Sequence, residues 1–174
     1  PLENSISWST NRLRRAVAAV EDAPDSAARL QATQRLSHIP LREIPVALEQ
    51  AWNHDGGKLN FATKALLVRW STLDGKAASQ WAWKRIEAWP EAFTQIGTSW
   101  AQGDPQGFAA WLRDNVEQQP AIKDRSIPKN LSAREERPLL DSSNLSMAWK
   151  WILPAEPAAA VTIARHVDGN SFLG

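Results

Sequence analysis

The three histidines, at positions 38, 54 and 166, are the side chains best suited to proton transfer or metal ligation near neutral pH. None stands in an H-x3-H or H-E-x-x-H spacing, so no two share a helix face as a ligand pair, and they read as surface or loop histidines. His54-Asp55 is the sole adjacent histidine–acid pair, and neighbouring side chains seldom point at one another. The chain has no cysteine, which excludes disulfides, thiolate zinc sites, iron–sulfur clusters and cysteine nucleophiles. Among the carboxylates, Asp74 and Asp104 each stand directly before a helix-starting residue, Gly75 and Pro105. A helix cap explains them better than acid/base chemistry does. Asp114 and Glu135-Glu136 read as solvated. No serine elbow, P-loop or dinucleotide fingerprint is present, because Gly56-Gly57 and Gly103 with Gly107 lack the required spacing. A chain without enzymatic activity, cofactor or metal is therefore expected.

The cations form two local sets, Arg12, Arg14 and Arg15 near the start and Lys123, Arg125, Lys129, Arg134 and Arg137 later. With 20 Lys and Arg against 19 Asp and Glu the net charge is +1, a balance that argues against a dedicated nucleic-acid surface. Those two sets nevertheless define the alternative reading, a helical nucleic-acid-binding module. Tryptophan occurs ten times and tyrosine not at all. Trp81 and Trp83 are two apart, which on a helix separates them by about 200°, so at least one of the pair should be partly exposed or face another layer. Exposed tryptophans and arginines anchor protein interfaces. Trp83, Trp89, Lys123, Arg125, Arg134 and Arg137 are accordingly the candidate partner-binding residues, for a protein or peptide.

The elements that must position these residues are helical throughout. The chain has 174 residues, 43% hydrophobic and 22% charged, with only 8 glycines; that suits one globular domain of ordinary composition. No run of alternating β-branched and aromatic residues marks a strand. Caps and prolines place helices from Thr10 to about Glu21, from Asp25 or Ser26 to about His38, and from Pro45 to near Trp52. Further helices run from Asn60 to about Leu73, and from Asp74 to near Trp89, where Pro90 forces the stop. Pro90–Gln102, Pro105 to about Gln118, Ser142 or Ser143 to Ile152, and Pro157 to Val167 complete the set. No apolar run approaches the ~18 residues of a membrane span. An opening Pro1 in place of Met is expected of a processed or excised piece, so an accessory helical domain of a larger enzyme is a third reading.

A 30-residue period organises these helices. Ala62, Leu66, Trp70, Asp74 and Trp81 recur as Ala92, Ile96, Trp100, Asp104 and Trp111. Ala32 and Leu36 precede them in phase, Pro45, Gly75 and Pro105 are evenly spaced, and Glu156-Pro157 with Ala160 resembles Asp104-Pro105 with Phe108. Ala62, Leu66 and Trp70 lie four apart and stack on one helix face; the aspartate then caps the next helix, and proline fits its first position. Each repeat is a helical hairpin, and hairpins of this size bury their apolar faces by stacking. The W-x3-D-[GP]-x5-W pattern of Trp70–Trp81 and Trp100–Trp111 resembles the tryptophan/Asp-Pro helical-hairpin repeat of large bacterial α-superhelical proteins, over about residues 62–112. That resemblance implies an α-superhelix and carries no activity with it. The first unit departs from the pattern, with Ile44 in place of the capping aspartate. Residues 119–141, with three prolines and mixed charge, read as a polar insertion loop with one short helix near 132–137. The expectation is an all-α solenoid of about four helical hairpins forming a single domain over 1–174. It would serve as a non-enzymatic scaffold or binding module.

Overall fold

In a computed structural model of the protein, residues 8–54, 59–86, 88–116 and 142–167 are described. They are all-α, with eight α-helices, one short 3-10 turn and no strand among them. The chain divides into two compact units, Pro1–Leu73 and Asp74–Gly174. The division falls at Asp74, whose φ of −152° and ψ of 74° interrupt the helical span Phe61–Trp83.

The first unit holds α1 (Thr10–Glu21), α2 (Ser26–Leu36), α3 (Ile44–His54) and the first half of α4 (Phe61–Trp83). Ser9 caps α1 by accepting the Arg12 N–H at 3.3 Å, one residue before the expected Thr10, and Asp25 caps α2 through Ala28 N–H at 2.8 Å. Leu13, Val17 and Val20 are buried on one face of α1, and that face packs against α2 and α3, as a spacing of four and three requires. Ile44, in phase with the capping aspartates, is fully buried, with helical φ and ψ. A 3-10 turn at Leu41–Glu43 leads into α3 there, closed by Glu43 N–H on the Pro40 carbonyl at 2.9 Å. The start of α4 is doubly satisfied: Thr63 N–H donates to Asn60 Oδ1 at 2.8 Å, and Ala62 N–H donates to Glu21 Oε1 at 2.6 Å. The Asn60 side-chain amide in turn donates to the Ala51 carbonyl at 3.1 Å, tying this cap to α3.

The second unit holds the remainder of α4, α5 (Pro90–Gly103), α6 (Pro105–Val116), α7 (Ser142–Ala155) and α8 (Pro157–Val167). Helix α5 packs on α6 and α7, α6 on α7 and α8, and α7 on α8. The helix that follows Asp74 stops at Trp83 and not near Trp89. Turn bonds replace it, among them Arg85 N–H to the Ala82 carbonyl at 2.9 Å and Trp89 N–H to the Arg85 carbonyl at 2.7 Å. This turn buries both Ile86 and Trp89, and that packing outweighs local helix propensity. Trp89 itself is non-helical (φ −147°, ψ 56°) ahead of Pro90, outside the α region that a following proline disfavours. Helix α7 continues to Ala155, past the expected end at Ile152, with Pro154 in its last turn.

Candidate functional site

Asp74 and Asp104, thirty residues apart, share one local backbone geometry. Asp104 adopts φ −144° and ψ 78°, within a few degrees of Asp74. Asp74 Oδ1 accepts Ala77 N–H at 3.0 Å, and Asp104 Oδ1 accepts Gly107 N–H at 2.9 Å. The second oxygen of Asp104 accepts the Trp100 indole N–H at 3.4 Å, so this carboxylate joins the last turn of α5 to the first turn of α6. The backbone repeats the pattern at the next junction. Asp104 N–H donates to the Trp100 carbonyl at 2.7 Å and Phe108 N–H to the Asp104 carbonyl at 3.1 Å; Glu156 N–H donates to Ile152 at 2.8 Å and Ala160 N–H to Glu156 at 2.9 Å. Ala160 thus occupies the place of Phe108, and both are buried. Asp74 thus commits one carboxylate oxygen, and Asp104 both, to N–H donors, in the manner of helix caps.

Around the junction lies an aromatic cluster within the second unit. Phe93, Phe108 and Trp111 are buried; their ring centroids are 6.2 Å apart for Phe93–Trp111 and 6.4 Å for both Phe93–Phe108 and Phe108–Trp111. Trp100, half-buried, stands 5.4 Å from Phe108 and 6.1 Å from Trp111. Trp83, also half-buried, stands 5.4 Å from Phe93 and meets Trp111 edge-on at 5.7 Å. The 200° separation of Trp81 and Trp83 takes effect here. Trp81 turns away from this cluster, buried against Trp89 at 5.1 Å with the Arg85 guanidinium 4.6 Å over its ring.

Of the residues singled out as partner-binding, Trp83 keeps a solvent-accessible edge. Trp89 does not: it is 3% exposed and belongs to the core with Trp81, because the turn after Trp83 folds it inwards. Lys123, Arg125, Arg134 and Arg137, with the whole insertion 119–141, lie outside the described residues. Trp100 is half-buried like Trp83. Its spacing carried no sign of this, since Trp111, in the same pattern, is buried.

The other candidates for chemistry stay dispersed. His38 is exposed in the turn after α2, His54 ends α3, and His166 Nδ1 lies 2.9 Å from the Thr162 carbonyl within its own helix. Among the described residues no three of His, Asp and Glu gather in a group able to hold a metal ion, and no helix is long and apolar enough to cross a membrane. An open pocket of about 250 Å³ lies between α1 and α2, lined by Ala19, Asp22, Ala23, Pro24, Ala28, Gln31, Ala32 and Arg35. Its polar lining residues are all exposed, so it lacks the convergent buried donors and acceptors of a ligand site. Compared with family models, curated proteins and solved structures, the chain matches none.

Proposed function

We propose that the chain is a non-enzymatic α-helical repeat module whose hairpins stack as a superhelix and which serves as a scaffold or binding surface for protein partners. The observation that carries this reading is the recurrence of one junction. Asp74 and Asp104, thirty residues apart, share backbone angles and the same capping bond, and Glu156 repeats the backbone bonding of Asp104. Units that recur in this way bury their faces against neighbours and present an extended surface, which is the usual basis of protein binding by helical repeats. The likeness to the tryptophan/Asp-Pro hairpin repeat points the same way. Trp83 and Trp100 then supply the half-buried aromatic rim that an interface uses as its anchor.

Affinity capture with the intact chain and with Trp83→Ser, followed by quantitative mass spectrometry and a circular-dichroism check of helix content, tests the reading. Specific proteins retained by the chain and lost with the variant are expected. No enriched protein, or nucleic acid retained at physiological salt, overturns it.

A further inference from the structure

The solvent face of the first half of α4 breaks the repeat. Phe61, Ala65 and Val68 lie four and three apart, on one helix face. Phe61 is 59% exposed, Val68 40% exposed and Ala65 half-exposed. One period earlier the same positions hold Gln31, Arg35 and His38, and one period later Glu91, Gln95 and Thr98. In both neighbouring copies a polar side chain occupies every position that is apolar here. Phe61 and Val68 stand on the exposed side of the helix, outside the buried stripe of Ala62, Leu66 and Trp70. Two cations border the face. The Arg29 guanidinium lies 4.6 Å over the Phe61 ring, and Lys64 is exposed. Neither pairs with a carboxylate among the described residues; Arg29 Nη2 donates to the Ala23 carbonyl at 3.5 Å, and its Nε is buried without a hydrogen-bond partner.

We infer that this face of α4 docks an amphipathic helix of a protein partner, apolar along one stripe and flanked by Asp or Glu. The inference rests on the protein-binding reading above and gives it a site and a partner chemistry. Small Ala65 between two larger side chains leaves a notch that a Leu or Phe of a crossing helix fills, ridge into groove. Carboxylates on either side of that stripe meet Arg29 and Lys64, so charge sets which helices are accepted. An anionic membrane fits less well, since lipid recognition draws on clusters of about 4–8 cations and this face carries two.

The test uses the whole chain, labelled with ¹⁵N, and three probes. These are a helix-forming peptide of about 15 residues with Leu at i, i+4 and i+7 flanked by Glu, the same peptide with Lys for Glu, and phosphatidylglycerol vesicles. Saturable shifts of the 61–68 amides with the acidic peptide are expected, weakened about tenfold or more by Phe61→Ser with Val68→Ser. Both side chains are exposed, so helix content should be unchanged. Arg29→Glu with Lys64→Glu should transfer the preference to the Lys peptide. Equal response to both peptides, the same amides saturating with vesicles, or self-association through them without peptide overturns the inference. Partners still captured by a chain carrying Phe61→Ser and Val68→Ser overturn this site alone and leave the protein-binding reading standing. A chain that captures no partner overturns that reading instead.

Discussion

Arg69 ties α4 to the segment after α2: its Nη1 donates to the carbonyl of Ile39, thirty residues earlier, at 2.6 Å. Burial lowers the pKa of this guanidinium from its ordinary value, but an arginine stays charged at any working pH, so the bond persists across the range in which the protein is handled. The fully buried Ile39 is thereby tied to α4 through its backbone carbonyl. Arg69→Met retains the apolar stem and removes the donors. A loss of about 1.5–3 kcal/mol, the range for hydrogen bonds to charged groups, is expected in urea denaturation, with stability flat in pH near neutrality for both proteins. A variant as stable as the parent would show that the bond contributes nothing net.

Asp104 offers a test of capping against chemistry. Asp104→Asn and Asp104→Ser keep an acceptor for Gly107 N–H and should be nearly neutral in thermal melts. Asp104→Ala should cost about 0.5–2 kcal/mol. Asn as damaging as Ala would return Asp74 and Asp104 to the list of reactive groups.

Gly75 is buried in a helix, and a Cβ there would run into the Trp100 indole. Glycine to alanine in a helix ordinarily gains about 1 kcal/mol. Gly75→Ala should instead lose roughly 1–3 kcal/mol by overpacking. In a Trp100→Ala background the sign should reverse, and the coupling between the two positions is what a double-mutant cycle reads. A gain in the parent background would mean that Trp100 does not lie over Gly75 in solution.

The tryptophans should divide by burial. Trp89→Ala should cost about 3–5 kcal/mol, the range for truncating a large buried aromatic, and it should couple to Trp81 by about 0.5–1.5 kcal/mol as an edge-to-face pair. Trp83→Ala should cost clearly less, because one side of its ring is already solvated. Equal losses at Trp83 and Trp89 would contradict the division.

The helical character of this chain, most helix starts and the caps at Asp74 and Asp104 were legible from sequence alone, because they rest on local physics. A proline limits the residue before it, an aspartate caps the amides three residues on, and apolar side chains four apart share a face whatever surrounds them. Asp74, Asp104 and the start of α8 at Pro157 followed from those rules. Tertiary structure alone decided which tryptophans stay wet. The turn after Trp83 depends on Ile86 and Trp89 finding a core to enter, and no spacing in 84–89 encodes that partner. The same holds for the bond from Arg69 to Ile39 and for Glu21 at the head of α4, where the groups that meet are 30 and 41 residues apart. The division at Asp74 is of this kind too: a cap can be read from neighbouring residues, whereas the packing on each side of it is a property of the folded chain.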